Sequence, residues 1–180
     1  MNIMILHENQ ITPIMDMRIK HNLCLCFPHQ TDYFSRSRGW NDVPSDITVV
    51  GMDNDDPIAH LGVAIRSIQV DGNDYRIFGL QNVYVVPSHR GKHLVDVLFT
   101  ELLEYLKGVD LNFGLLFART KVEHVYTRLG WKRMGDVSLK VKYGSGEVQQ
   151  RKFIHDHLYF YPFTKTGPPE GPYYLNGPDW

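Results

Sequence analysis

The chain of 180 residues contains only two cysteines, Cys24 and Cys26, two positions apart in an apolar segment. This spacing does not match a zinc site built from two Cys-x-x-Cys pairs. Side chains two positions apart on a helix point in different directions, so we predict no disulfide between them. We interpret both as small, largely buried side chains in a reducing compartment, and we predict a cytoplasmic location.

The chain also lacks a strong net charge and a long apolar run. The formal net charge is −1 at pH 7 and no basic stripe is present, so a nucleic-acid partner is not expected. No run of about 18 apolar residues suggests a membrane span, and the first residues lack the basic region of a signal peptide. A hydrophobic content of 43% is typical of a globular protein, so we predict a single domain over residues 1–180 without a membrane partner.

Hydrophobic periodicity and turn residues predict alternating strands and helices. Thr12 followed by Pro13 indicates a helix start, and this helix is predicted to end near Phe27. Two further helices are predicted, from Leu94 to near Gly108 and over residues 122–129 with Gly130 as cap. The predicted strands cover residues 2–7, 47–51, 58–70, 75–86, 111–117, 131–142 and 153–163. The remaining long segments are predicted as a loop over 28–46 and a Pro/Gly-rich tail over 164–180.

The most informative segment follows the strand that ends at Pro87 and precedes the helix that begins near Leu94. A short loop containing Arg90, Gly91 and Lys92 connects the two. The first N–H groups of a helix have no partner within the helix, and the helix dipole favours negative charge there. The segment therefore predicts a site for an anionic group such as the pyrophosphate of a cofactor.

This segment resembles the Gcn5-related N-acetyltransferase (GNAT) superfamily, in which a strand ending in V-x-P is followed by [QR]-x-x-G-x-[GA]. Arg90 fills the first position of that motif, whereas His93 and Val95 stand at its last two conserved positions. The missing glycines are tolerable, because phosphates are bound by backbone N–H groups that every residue except proline supplies.

The chain is more similar still to the aminoglycoside 2'-N-acetyltransferases. Their R-G-x-x-L-V loop matches residues 90–95, and their L-Y-x-x-R-G-W segment is close to residues 125–131. Their Trp-terminated tail with a glycine and an aspartate is similar to residues 177–180. The resemblance implies an α/β (α+β) fold with a mixed, mostly antiparallel central sheet of six to seven strands and flanking helices. It also implies a V-shaped split between two central strands.

The resemblance further implies acetyl-CoA as cosubstrate and no metal. The pantetheine arm would bind backbone groups of one strand, at Val83, Tyr84 and Val85. The residues implied at the phosphates are Arg90, Gly91, Lys92, His93, Leu94 and Val95. Lys92 and His93 can add positive charge there.

The catalytic residues implied by the resemblance are Tyr126 and Gln81. Tyr126 matches the tyrosine near the coenzyme sulfur and is a candidate general acid, with a purely structural aromatic as the alternative. Gln81 aligns with a glutamate that acts as base through water. Glutamine cannot accept a proton near neutral pH, although it can orient a water or the amine. Other candidate bases are His60, His93, Asp156 and the C-terminal carboxylate.

The predicted acceptor is a primary amine of a small molecule, and an aminosugar is one candidate. Because aminoglycosides are polycations, their site is expected to be acidic. Candidate substrate-binding groups are Asp156, Asp179 and Trp180, with Asp32 and Asp42 as weaker ones. Two alternatives remain open: acetylation of a protein N-terminus or lysine, and a non-catalytic acyl-CoA-binding module. The oligomeric state, a monomer or a homodimer, is also open.

Overall fold

The structure is a computed structural model that describes residues 1–144, 146–163 and 166–180. The chain divides into two compact units. The first unit comprises Met1–Ala64 and Gln81–Val109, and the second comprises Ile65–Leu80 and Asp110–Trp180. The single domain predicted over 1–180 stays a prediction. Among the described residues, no helix is long and apolar enough to cross a membrane.

The first unit contains three strand pairings and three helices. Its elements are β1 (Asn2–His7), α1 (Pro13–Cys26), α2 (Thr31–Phe34), β2 (Ile47–Asp53), the first part of β3 (Asp56–Val70), the last part of β4 (Asn73–Val85) and α3 (Leu94–Leu106). β2 pairs antiparallel with both β1 and β3, and β3 pairs with β4. The predicted loop over 28–46 contains α2 and two short 3₁₀ turns.

Helix α1 begins where the sequence predicts. The Thr12 hydroxyl accepts a hydrogen bond from the Met15 N–H at 3.2 Å, and Pro13 occupies the first helical position. Ile19 and Leu23 on this helix are fully buried in the core of the first unit. The other members of this core are Phe34, Val50, Met52, Ile58, Tyr84 and Val86.

The described residues of the second unit form one short helix and belong to a path of eight paired strands. Its further elements are β5 (Phe113–Ala118), α4 (Glu123–Arg128), β6 (Lys132–Arg133), β7 (Leu139–Lys142), β8 (Val148–Gln150), β9 (His157–Pro162) and β10 (Tyr173–Tyr174). The strand order is β6-β9-β5-β4-β3-β10-β7-β8. The β4–β5 and β10–β7 pairings are parallel, whereas β9 pairs antiparallel with both β5 and β6. The predicted mixed α/β fold is confirmed.

The strand predictions for the second unit need correction. The strand predicted over 131–142 is two strands, β6 and β7, because the intervening Gly135 and Asp136 are poor strand formers. The tail contains β10, and β8 was not predicted, so the sheet has eight strands on this path instead of six to seven. Residues 164 and 165 of the predicted tail lie outside the described residues. Gly130 has φ of +91° after α4, as predicted for a helix cap.

Candidate active site

The loop between β4 and α3 has the backbone geometry of an anion site. Two residues adopt left-handed conformations, Gly91 with φ of +76° and His93 with φ of +55°. His93 is the N-cap of α3, and its side chain makes no capping hydrogen bond. Space is open around Gly91, since a Cβ placed there would meet nothing within 4 Å. Alternating conformations of this kind direct successive N–H groups to one side of the chain.

The N–H groups of this loop are unused. Within the described parts of the chain, no hydrogen bond uses the backbone N–H groups of residues 91–95. Lys92 is exposed beside them, and the His93 Nδ1 lies 3.7 Å from a carboxylate oxygen of Asp96. Free donors at the positive end of a 13-residue helix can bind phosphate groups.

The strand that leads into this loop offers mainly its backbone. The Tyr84 side chain is buried, its hydroxyl donates to the Pro57 carbonyl at 2.8 Å, and burial raises its pKa. The Val85 carbonyl accepts from Arg90 Nε at 3.1 Å and from Cys26 Sγ at 3.6 Å. Tyr84 can therefore contact a ligand only through its peptide groups.

Cys24 and Cys26 are free thiols.

Gln81, the residue aligned with a catalytic glutamate, is 4% exposed and makes hydrogen bonds at both ends of its amide. Its Oε1 accepts from the Trp40 N–H at 2.9 Å. Its Nε2 donates to the Val43 carbonyl at 3.1 Å and to Ser45 Oγ at 3.2 Å. Its side chain therefore binds the segment that precedes β2, a contact which the sequence did not predict.

His60, another candidate base, is 1% exposed in β3 and stacks on Tyr84 with ring centroids 5.2 Å apart. Its Nδ1 lies 2.8 Å from the Asn82 carbonyl, so Nδ1 carries the proton and donates it. Its Nε2 has no hydrogen-bond partner among the described residues. Burial lowers the pKa of His60 to about 4, and the Arg38 charge adds to this effect. The imidazole is therefore neutral near pH 7.

Tyr126 lies in α4 of the second unit and is 9% exposed. Burial raises its pKa, and Tyr159, whose ring centroid lies 6.3 Å away, raises it further. A phenol with a raised pKa stays protonated near neutral pH, as a proton donor must before it acts.

The predicted substrate-binding acids are paired with one arginine. Arg151 binds both carboxylate oxygens of Asp156, at 3.0 and 2.7 Å, and its Nε binds Asp179 at 2.7 Å. The Tyr143 hydroxyl donates to the other Asp179 oxygen at 2.8 Å, and the pKa of Tyr143 rises to about 12 through burial and this carboxylate. The charge of Arg151 reduces the negative charge that these acids present to a polycation.

Trp180 is 5% exposed and packs within the second unit. The Arg66 guanidinium stacks over the indole at 4.9 Å, and the Phe117 ring approaches it edge-on at 5.6 Å. A Cβ added at Gly79 would overlap the indole ring, so only glycine fits there. The predicted site residues therefore form two groups: Gln81, Val83–Val85 and Arg90–Val95 in the first unit, and Tyr126, Asp156, Asp179 and Trp180 in the second.

The second unit also contains an open cleft of about 740 Å³ that the sequence did not indicate. Its polar lining includes Arg133 and His157, and an Arg133 guanidinium nitrogen lies 3.1 Å from His157 Nδ1. His157 Nε2 lies 3.0 Å from Thr120 Oγ1. No short motif marks this cleft, because its lining comes from β6, β9 and the segments between β6 and β9. Among the residues described, no group of three or more His, Cys, Asp or Glu side chains is arranged to hold a metal.

Comparisons with known proteins identify the class of protein that this fold and loop define. The family described as acetyltransferase (GNAT) domain matches residues 17–134, well over half of the chain. The chain belongs to the GNAT acetyltransferase family.

Solved structures show the same fold at low sequence identity. The GNAT family N-acetyltransferase YhbS from Escherichia coli, solved with CoA, is 18% identical with a TM-score of 0.64, over 97% of this chain and 89% of that one. A GNAT family acetyltransferase from Brucella melitensis, solved with acetyl-CoA, is 15% identical with a TM-score of 0.60, over 96% and 94%. The ribosomal-protein-S18-alanine N-acetyltransferase from Escherichia coli is 15% identical with a TM-score of 0.59, over 92% and 97%. No curated protein sequence gives a significant match.

Proposed function

We propose that this acetyltransferase transfers the acetyl group of acetyl-CoA to a primary amine of a small molecule, with aminosugars as the first class to test. The observation that carries the proposal is the row of unused N–H groups at residues 91–95, at the N-terminus of α3. These groups suit the pyrophosphate of the coenzyme. Peptide groups of Val83, Tyr84 and Val85 are the proposed partners of the pantetheine arm.

The proposed reaction needs two proton transfers. The amine nitrogen attacks the thioester carbonyl carbon, the C–S bond breaks, and the amine loses a proton. The leaving thiolate takes a proton, for which Tyr126 is the proposed donor because it matches the tyrosine near the coenzyme sulfur in the resembled enzymes. Gln81 has no proton-accepting group, so the base in this proposal is another residue or water.

The free amine of a protein or peptide N-terminus, or of a lysine, is the second candidate acceptor. The pairing of Asp156 and Asp179 with Arg151 favours it over a polycation, because these two acids carried the aminoglycoside prediction.

Coenzyme binding is the first test. Acetyl-CoA at millimolar concentration should raise the melting temperature, since a ligand of the folded state stabilises it. The acceptor is then sought with a panel of aminosugars, simple primary amines and short peptides, by detection of both CoA and the acetylated product. Light scattering on the same samples separates a monomer from a homodimer.

Replacement of Tyr126 by Phe tests the proposed acid. We expect kcat to fall about 10²-fold, with acetyl-CoA affinity unchanged, because only proton transfer to the leaving thiolate is removed. Tyr105→Phe is the control, because it removes a tyrosine hydroxyl on α3 that lies 2.8 Å from His7 Nε2 and has no proposed role in catalysis. Equal kcat in Tyr126→Phe and the wild type would show that Tyr126 has only a packing role.

A further inference from the structure

We propose that Gln81 and Asn82 are positioning residues that hold residues 38–45 as a fixed wall beside the reacting end of the coenzyme. This inference rests on the proposed function, in which the coenzyme extends along β4 from the phosphate loop towards Gln81. A glutamine in place of a carboxylate is then a change of role, from proton transfer to loop attachment. The argument starts from the hydrogen-bonding capacity of the amide.

The N–H donors and the oxygen acceptor of the Gln81 amide all bind one short segment, residues 40–45. Both N–H donors of Nε2 point to that segment, one to the Val43 carbonyl and one to Ser45 Oγ, while Oε1 accepts from the Trp40 N–H. An amide can make these three bonds, whereas a carboxylate can only accept: it can bind the Trp40 N–H and the Ser45 hydroxyl, but it cannot donate to the Val43 carbonyl. The residue type at position 81 therefore matches the loop that it binds.

The sheet leaves room for this contact. Gly62 on β3 lies beneath it, and a Cβ at this position would lie 2.7 Å from Ser45 Oγ and 3.1 Å from Gln81 Cγ. Contacts this short would push the buried Ser45 away from the glutamine. Glycine at position 62 thus permits the loop to approach the sheet closely.

Asn82 holds the beginning of the same segment. Its backbone is left-handed inside β4, with φ of +52°, and its Nδ2 donates to the Arg38 carbonyl. Its own carbonyl accepts from His60 Nδ1 at 2.8 Å. Two consecutive strand residues therefore bind residues 38, 40, 43 and 45, which is more than a single packing contact would require.

The Arg38 side chain fixes the segment from the opposite direction. Its guanidinium is 8% exposed and binds Glu8 Oε1 at 2.7 Å and Asp16 Oδ1 at 2.6 Å. Hydrogen bonds from Lys20 and Arg38 lower the pKa of Asp16 despite its partial burial. The loop is thus attached to α1, to the turn after β1 and to β4.

The tip of the segment carries backbone strain that these attachments support. Asn41 and Asp42 are both left-handed, with φ of 49° and 58°. The Tyr33 hydroxyl accepts from the Asp42 N–H at 2.8 Å and donates to the Gly39 carbonyl. Strained non-glycine residues persist where their surroundings determine the conformation, and they are common at ligand sites.

The test combines hydrogen exchange with kinetics. In Gln81→Glu, the bond to the Val43 carbonyl is lost and a carboxylate oxygen faces that carbonyl, so amide exchange over residues 38–45 should accelerate. The Michaelis constant for the acceptor should rise about tenfold, and that for acetyl-CoA should change less than about twofold. Gln149→Glu, an exposed position on β8 with the same chemical change, is the control.

A second variant covers the case in which Gln81→Glu does not fold. Asn82→Gly keeps a residue that tolerates positive φ and removes the bond to the Arg38 carbonyl together with a long contact to Gln81 Oε1, so exchange should accelerate at the start of the segment. Unchanged exchange over 38–45 in these variants would overturn the proposal. A higher kcat in Gln81→Glu, with a new ionisation in the pH–rate profile, would also overturn it, because position 81 would then be a proton-transfer site. Hydrogen exchange needs no acceptor amine. It therefore tests whether Gln81 and Asn82 hold residues 38–45 even if no amine is found to be acetylated.

Discussion

The phosphate loop, residues 90–95, and the C-terminal segment, residues 173–180, were both predicted to bind ligands, and they differ in how their polar groups are used. The loop leaves the N–H groups of residues 91–95 without partners among the described residues. In the C-terminal segment, the N–H groups of Tyr173 and Leu175 donate to carbonyls of Ser138 and Lys140, at 2.8 and 3.0 Å. The carboxylate of Asp179 is bound by Arg151 and Tyr143.

This difference shows that residue type alone does not identify a binding site. Helix geometry leaves the backbone donors of a helix N-terminus without a partner inside the helix, and they stay free where no side chain caps them, as at α3 and unlike at α1. An acidic side chain is free only if no cation elsewhere in the fold reaches it. The loop is therefore the better candidate for a ligand site, and the polar groups of the C-terminal segment bind other parts of the second unit.

The largest effect is expected from Gly79→Ala, which would disrupt the packing of the C-terminal segment. The added methyl group overlaps the Trp180 indole, so we expect the free energy of unfolding to fall by about 3 kcal/mol. Urea unfolding measures this, and Gly135→Ala, where a Cβ meets nothing within 4 Å, is the control. A Trp180→Ala change should relieve most of the penalty in the double variant. Equal stability of Gly79→Ala and the wild type would contradict the packing described for Trp180.

His60 combines both situations in one side chain, because its Nδ1 donates to the Asn82 carbonyl whereas its Nε2 has no hydrogen-bond partner among the described residues. Its pKa is about 4 in the folded protein and 6.5 in the reference state, so only the unfolded chain binds a proton between these values. The contribution of His60 therefore lowers the free energy of unfolding as pH falls from 6.5 to 4, by about 3 kcal/mol in total. Above pH 6.5 both states are neutral and the cost vanishes.

The experiment for His60 compares unfolding at pH 7.5 and at pH 5. The difference in unfolding free energy between the two pH values should be smaller in His60→Gln than in the wild type. His21→Gln changes an exposed histidine on α1 and is the control. An identical pH dependence in His60→Gln and the wild type would mean that His60 titrates normally.

Arg151→Met would remove the cation that binds both acids of the second unit, Asp156 and Asp179. Both carboxylates lose their cation while they stay largely buried, so we expect a loss of about 2 kcal/mol in unfolding free energy. Lys152→Met, at the exposed neighbouring position, should change stability by less than about 0.5 kcal/mol. If aminosugars are acceptors, a lower Michaelis constant for them in Arg151→Met than in the wild type would show that Asp156 and Asp179 bind the cationic substrate. A stable Arg151→Met protein would show that these ion pairs add little.

The smallest effect is expected from Lys92→Glu at the phosphate loop. A negative charge beside the unused N–H groups should raise the Michaelis constant for acetyl-CoA about fivefold to tenfold without loss of stability. Lys107→Glu makes the same charge change at the other end of α3 and should leave this constant unchanged. Equal effects of the two variants would place the coenzyme phosphates away from residues 91–95.

The sequence predicted those features whose causes are local. Thr12 and Pro13 start α1, Gly130 ends α4, and the order of strand, loop and helix around residues 87–94 indicates the anion site. The partners of Gln81 lie 36 to 41 positions away, and Arg151 and Asp179 are 28 positions apart. No short pattern reports such pairings, so the roles of these polar side chains were not predictable.

The sequence by itself determined α1, α3 and α4, most strands, the family and the loop proposed to receive phosphates, because propensity, capping and helix-end geometry act over a few residues. The tertiary structure decided which polar side chains remain available for chemistry. Gln81 binds the loop before β2, and Asp156 and Asp179 share Arg151, since a buried polar group takes the partner that folding places beside it.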